Sequence, residues 1–140
     1  MKAYLIDPSR FTIAPVEIDR DHTLEQLYKH IGCDMVEAVY LENGDTLYVD
    51  EEGLLKRQWH FIVLDGYPQP IAGKGVLVGA TPAGNSTDAK TSLEALTAKV
   101  SYMEMLVNGV VSIREAVRPK AYHLERLDRV LERLEKQGPA

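Results

Sequence analysis

The sequence predicts an α+β fold in which an antiparallel sheet of five or six strands with one short helix precedes a C-terminal helical pair. Three observations predict it. Short runs rich in β-branched and aromatic residues, separated by turn residues, fill the first 80 of the 140 residues. The pair Asn43-Gly44 joins two of these runs, as in a β-hairpin. Beyond residue 90, apolar residues recur at intervals of three and four, which indicates helices.

The first elements are two strands and the short helix. KAYLI (Lys2–Ile6) and TIAPVEI (Thr12–Ile18) predict strands, because apolar and β-branched residues alternate between turn residues. Thr23 then begins a capping-box pattern, and apolar residues follow at helical intervals. Gly32 stands where a residue just beyond a helix is expected to adopt a left-handed conformation. The helix is therefore predicted to end there.

The stretch AVYLENGDTLYVD (residues 38–50) predicts a hairpin with a two-residue turn. Such a turn places Glu42 opposite Asp45. It also places Glu37 opposite Asp50, on one face of the hairpin. The other face is predicted to be the core face, and its residues are Val36, Ala38, Tyr40, Leu47 and Val49.

Two further strands complete the predicted sheet, WHFIVL (Trp59–Leu64) and KGVLVGA (Lys74–Ala80). Residues 81–90, TPAGNSTDAK, are small, polar and rich in turn residues, which is typical of a linker. The sequence therefore predicts an α+β domain over residues 1–80, a linker over 81–90 and a helical hairpin over 91–140.

The predicted helical hairpin carries two narrow apolar stripes. Each stripe has the alternating three- and four-residue spacing of a helix that packs along one seam. Such stripes could pack on each other, on the sheet or on a second chain. Since they would otherwise leave apolar surface uncovered on a small domain, we expect a homo-oligomer, most simply a dimer. The predicted interface residues are Leu93, Leu96, Val100, Met103, Val107, Leu124, Leu127, Leu131 and Leu134.

Composition narrows the class of protein. The formal net charge is −5, and the excess of acidic residues lies in residues 1–90. An acidic surface repels phosphate backbones, so nucleic acid is not expected as a partner. No apolar run approaches the roughly 18 residues of a membrane-spanning helix. The single cysteine, Cys33, cannot form an internal disulfide, which agrees with a cytoplasmic location.

Two motifs carry a family resemblance: IGCDMVEAVYLENGDTLYVDEEGLL, which includes the acidic hairpin, and YPQPIAGKGVLVG, a glycine-bounded strand. From about Ile31 to Gly79 the chain resembles the bacterial and phage family called domain of unknown function 3846. The resemblance implies an association with phages, plasmids and other mobile elements. It implies no reaction and assigns no catalytic residues.

Glu37 and Asp50 are the candidate metal ligands. In the predicted register their Cβ atoms would lie about 5 Å apart, and two opposed carboxylates destabilise a sheet unless a cation, an arginine or a raised pKa compensates. The alternative is an exposed edge where both side chains reach water, or a bulge that shifts the register.

A second candidate site is basic. Lys74 lies between two glycines, and a cluster around Pro119 could direct several donors at an anion. The alternative is a solvated corner between two helices. The candidate ligand-binding residues are Lys74, Arg114, Arg118, Lys120 and Tyr122.

Three functions fit these features. The chain has no legible nucleophile, metal-ligand or phosphate-loop pattern, and no cofactor is expected. The leading hypothesis is a non-enzymatic binding protein of a mobile element, which acts as a homo-oligomer and contacts a host protein. The alternatives are a protein that binds or sequesters a nucleotide-like ligand and a metal-dependent hydrolase.

Overall fold

The computed structural model describes residues 1–56 and 59–105 in full and the backbone of residues 111–115. These residues form two antiparallel sheets and two short helices. The helices are α1 (Thr23–Ile31) and α2 (Leu93–Lys99). In chain order the strands are β1 (Lys2–Asp7), β2 (Thr12–Glu17), β3 (Val36–Tyr40), β4 (Thr46–Asp50), β5 (His60–Leu64), β6 (Ile71–Ala72), β7 (Gly75–Ala80), β8 (Ser86–Thr87), β9 (Val100–Met105) and β10 (Val111–Glu115).

The first sheet has the strand order β2-β1-β7-β4-β3, and β8 pairs with the end of β7. The second sheet has the order β10-β9-β5-β6. Two short 3-10 turns, Arg20–His22 and Gly53–Leu55, precede α1 and follow β4. The predicted mixed α+β fold with an antiparallel sheet of five or six strands is confirmed. The predicted sheet strand near residues 59–64 is wrong in its placement, because β5 belongs to the second sheet and the sixth strand of the first sheet is β8.

The first sheet lies between α1 and the second sheet. Successive side chains along its strands point alternately into a core shared with α1 and a core shared with the second sheet. On one face α1 packs against β7 through Leu27 and Ile31, which meet Val76 and Val78. The opposite face meets the second sheet in a core of aliphatic and aromatic side chains. The largest contributors to that core are Tyr4, Ile6, Leu47, Leu77, Ile62, Leu96, Val100 and Tyr102.

Helix α1 ends as predicted. Gly32 has a left-handed φ of 79°, and the backbone N–H groups of Gly32 and Cys33 both donate to the Tyr28 carbonyl. A side chain with a Cβ is strained in this conformation, which explains the glycine. Within the described residues no helix is long and apolar enough to cross a lipid bilayer.

The predicted helix through Val107 is wrong beyond Lys99. Ser92 caps α2 by accepting a hydrogen bond from the Ala95 amide, but the helix is only 7 residues long. From Val100 the chain becomes strand β9, which is buried on both faces. A strand buried on both faces has a nearly continuous apolar run, so its spacing can imitate that of a helix.

This correction also removes three residues from the predicted oligomer interface. Leu96, Val100 and Met103 are buried inside the chain itself, at 0%, 1% and 0% exposure. Leu93 is half-exposed at the start of α2. The remaining predicted interface residues, Val107, Leu124, Leu127, Leu131 and Leu134, lie outside the described residues. Within the predicted helical hairpin, Val111–Glu115 form strand β10, so the helix prediction is wrong there as well.

Residues 81–90 are not a free linker in the structure. Strand β8 pairs with β7, and the Ala89 amide donates to the Lys2 carbonyl over 2.9 Å. In return the Lys2 amide donates to the Asp88 side chain over 2.8 Å. The segment is therefore hydrogen-bonded to the first sheet before it reaches α2.

Tyr102 occupies the centre of the core between the sheets. Its side chain is fully buried, and the ring of Phe11 meets it edge-on with 5.7 Å between centroids. The hydroxyl has no hydrogen-bond partner among the described residues. Burial, with a smaller contribution from the charge of Asp7, raises the pKa of Tyr102 to about 12.

We expect Tyr102→Phe to raise the free energy of unfolding by about 1–3 kcal/mol, because it removes a buried hydroxyl that has lost its water without gaining a partner. Urea unfolding followed by far-ultraviolet circular dichroism measures the change. A lower urea midpoint at an unchanged m-value would contradict the prediction and would indicate a partner for the hydroxyl.

Candidate functional site

The acidic hairpin between β3 and β4 has a three-residue loop, Glu42–Gly44. The Leu41 amide donates to the Asp45 carbonyl over 2.9 Å, and the Gly44 amide donates back to the Leu41 carbonyl over 3.1 Å. Gly44 adopts a left-handed φ of 90°. This is the geometry of a turn followed by a glycine bulge, whereas a two-residue turn was predicted.

The longer loop shifts the strand register by one residue. Glu37 pairs with Val49 and Val36 with Asp50, so the predicted opposition of Glu37 and Asp50 is wrong. A shift of one residue turns every side chain of one strand to the other face relative to its partner. Val39 consequently enters the core, while the predicted core residue Tyr40 is 79% exposed.

Asp50 has structural partners within the chain. Its carboxylate accepts hydrogen bonds from the Lys56 ammonium over 2.6 Å and from the Glu52 amide over 2.9 Å. The hydrogen bond with Asp50 raises the pKa of Lys56. Nearby, burial raises the pKa of the Cys33 thiol, which disfavours its thiolate. No cluster suited to a metal ion occurs among the described histidine, cysteine and acidic residues.

The candidate basic residues are dispersed where the structure describes them. Lys74 lies just before β7, whose first residue, Gly75, pairs with Val49 near the end of β4. Lys74 is therefore at the end of the first sheet that is far from the Asn43 turn. Arg114 lies in β10 of the other sheet and is the register partner of Tyr102. Arg118, Lys120 and Tyr122 lie outside the described residues.

A buried carboxylate, Asp45, holds the hairpin in place. Asp45 is 0% exposed and accepts hydrogen bonds from the Lys90 amide, the Thr91 amide and the Thr91 hydroxyl, with the shortest two at 2.8 and 2.6 Å. The Asn43 side chain also donates to the Thr91 hydroxyl over 2.8 Å. Because hydrogen bonds replace water around this buried charge, the hairpin is bound to the segment that begins α2.

We expect Asp45→Asn to lower the free energy of unfolding by about 2–3 kcal/mol, because an amide carries no charge and offers one accepting oxygen to several donors. The matched control is Glu42→Gln, an exposed acid in the same loop, which is expected to change stability by no more than about 0.5 kcal/mol. Urea unfolding of both variants measures the difference. Equal effects of the two substitutions would contradict the role given to Asp45.

Strand β3 forms an open edge of the first sheet. In an antiparallel pair, alternate residues direct their N–H and C=O groups at the partner strand. The hydrogen bonds of Met35 and Leu41 show that the odd-numbered residues face β4. The backbone groups of Val36, Ala38 and Tyr40 therefore point away from the sheet, along an edge with no neighbouring strand in the described part of the chain.

The opposite edge strand, β2, is different. The Met1 ammonium donates to the Ile18 carbonyl, and the Ile18 amide donates to the Met1 carbonyl. The even-numbered residues of β2 therefore direct their backbone groups at β1. Pro15, near the middle of β2, thus stands at an outward position and has no N–H to offer. Proline on an edge prevents the addition of another strand, and β3 contains none.

A cleft adjoins the open edge near the hairpin loop. Its volume is about 230 Å³, and it lies between the end of β3 and the residues that follow β5. Aliphatic side chains from both sheets, two tyrosines and three charged residues form its wall, which is about half apolar. The lining residues are Val39, Tyr40, Leu41, Glu42, Leu64, Asp65, Gly66, Tyr67 and Lys99.

The open edge is acidic. Asp34, Glu37 and Glu42 are exposed along it, and residues 34–45 contain no lysine or arginine. The cleft itself has two acidic residues and the basic residue Lys99. Lys56, which binds Asp50, and Lys90, beside Gly44, lie near the two ends of this edge. The exposed carboxylates, Glu37 above all, therefore set the sign of the charge along the middle of β3.

Within the residues that the structure describes, these features define a small two-sheet α+β domain whose edge strand β3 has no neighbouring strand. The chain belongs to the domain of unknown function family DUF3846, whose model matches residues 1–106. The match extends beyond both ends of the resemblance carried by the hairpin and the glycine-bounded strand, and it includes β9.

Two curated relatives have sequence matches to parts of the chain. An uncharacterized protein, y4iR, of Sinorhizobium fredii is 34% identical over 76 residues, which are 54% of this chain and 47% of that protein. Protein PsiB of Rhizobium leguminosarum bv. phaseoli is 37% identical over 49 residues, 35% of this chain and 37% of that protein. The matched parts thus span less than half the length of each relative. No solved structure matches.

Proposed function

We propose that this protein is a non-enzymatic binding protein that holds an extended segment of another polypeptide as an added strand along β3. The outward backbone groups of Val36, Ala38 and Tyr40 carry the proposal, because they supply donors and acceptors in strand register. Added strands in other proteins gain affinity from such main-chain bonds and specificity from pockets for alternate side chains. The adjoining cleft would supply one such pocket.

The size of the cleft favours a side chain over a small-molecule ligand. Its volume of about 230 Å³ is below the roughly 300–1,000 Å³ of sites that enclose drug-sized ligands. Lys74 does not line it, so the cleft lacks the residue predicted to contact a nucleotide. A single large apolar or aromatic side chain matches both its size and its walls.

The other functions predicted from the sequence have different outcomes. The hydrolase hypothesis required Glu37 opposite Asp50 and is not carried further, since the register separates them. Association with a mobile element, a cytoplasmic location, a host-protein partner and a homo-oligomer stay predictions. The family resemblance motivates the first, and sedimentation of the purified protein would test the last.

We expect Ala38→Pro to abolish peptide capture while leaving the sheet folded, because the lost N–H points away from β4. The probe is a display library of random linear 12-residue peptides, selected on the wild-type protein. The control is Ala38→Ser, which keeps both the N–H and a small side chain. Circular dichroism checks the fold of each variant. Selected peptides that bind Ala38→Pro as well as wild type would contradict strand addition at β3.

A further inference from the structure

We infer that the segment bound along β3 is basic, with the alternating pattern basic-x-apolar-x-basic centred on one side chain that enters the cleft. This inference deepens the proposed function and rests on it. It follows from three features of the described edge: the faces to which its side chains point, the walls of the cleft and the sign of the exposed charges.

The faces to which the side chains of β3 point determine the alternating pattern of the bound segment. Glu37, Val39 and Leu41 are two residues apart, so their side chains lie on the same face of the first sheet, the face toward the second sheet. In an added strand, the residue opposite Val39 would point to that face as well. Val39 and Leu41 both line the cleft. Because β3 ends at Tyr40, Val39 is its last residue on this face, and we place the side chain that enters the cleft opposite it.

The walls of the cleft select an apolar or aromatic side chain at that position. Val39, Leu41 and Leu64 supply aliphatic surface, and Tyr67 packs against the core beside them. Burial of such a side chain removes apolar area of both partners from water, which favours binding. Aromatic side chains are the usual anchors at such positions because of their area and their few rotatable bonds.

The exposed charges select the flanking residues. The residue two positions from the anchor lies opposite Glu37, where cross-strand Cβ atoms are about 5 Å apart. On the other side of the anchor, the corresponding residue lies opposite Leu41, next to Glu42 in the loop. A lysine or arginine at each flank would pair with a carboxylate, and an acidic residue there would be repelled. Lys99 lines the cleft and would weaken the preference for a basic flanking residue only close to the cleft.

The same charges disfavour a second copy of this chain as the occupant. Antiparallel pairing of two β3 edges would bring together two rows of exposed acids, Asp34, Glu37 and Glu42, with no basic residue between positions 34 and 45. Like charges brought face to face weaken such a pair and prevent edge-to-edge association. The edge is therefore suited to a chain of opposite charge.

The test uses the full chain and the peptides selected on it. We expect enrichment of basic-x-apolar-x-basic sequences whose affinity falls as NaCl is raised. Glu37→Lys is expected to weaken the best peptide about tenfold in fluorescence anisotropy, since an attraction becomes a repulsion. The matched control, Glu17→Lys, makes the same charge change on β2, at the other edge of the sheet, and is expected to change affinity less than twofold.

The outcomes separate the inference from the proposed function. Neutral or acidic peptides that are lost with Ala38→Pro would overturn the basic pattern and keep strand addition. Equal losses with Glu37→Lys and Glu17→Lys would also overturn the inference, because the effect would then reflect net charge alone. Peptides that are indifferent to Ala38→Pro, or no captured peptide, would overturn the proposed function and the inference with it.

Discussion

The buried carboxylate of Asp45 is the constraint on which the described fold depends. It joins three parts of the chain that are distant in sequence: the β3–β4 hairpin, the segment after β8 and the start of α2. Because α2 leads directly into β9, this junction also determines where the central strand of the second sheet begins. Asn43 adds a second bond from the loop to Thr91. A charge removed from water is tolerated here because several donors converge on it, and the same convergence leaves the hairpin little freedom to move.

The hairpin loop connects this constraint to the proposed binding edge. A three-residue loop with its glycine bulge turns Val39 into the core and Tyr40 out to solvent. It also directs the backbone groups of Val36, Ala38 and Tyr40 away from β4. A two-residue loop would have placed Glu37 opposite Asp50 and a different set of side chains beside the cleft. One residue in the loop therefore separates the candidate carboxylate pair and decides which residues of the edge strand β3 point outward.

Local signals predicted much of the fold. The two N-terminal strands, α1 and its glycine stop were predicted close to their observed bounds, because alternation, helical spacing and a left-handed glycine act within a few residues. The register was missed because Asn-Gly suits both a two-residue turn and a loop that ends in a glycine bulge. Strand β9 was missed because burial on both faces removes the alternation that identifies a strand. The open edge could not be predicted at all, since no local pattern specifies which strand of a sheet lacks a neighbour. The role of Asp45 depends on Thr91, which is 46 residues away.

Hydrogen exchange of the β3 amides, resolved residue by residue by nuclear magnetic resonance, tests the central claim most directly. The claim is that β3 is an edge strand and that the hairpin register points its even-numbered residues outward. The described bonds predict slow exchange at Glu37, Val39 and Leu41, whose N–H groups face β4, and fast exchange at Val36, Ala38 and Tyr40. Slow exchange at all six amides would show that the edge is already covered, and slow exchange at the even-numbered amides alone would show that the register is wrong. Either result would contradict the account.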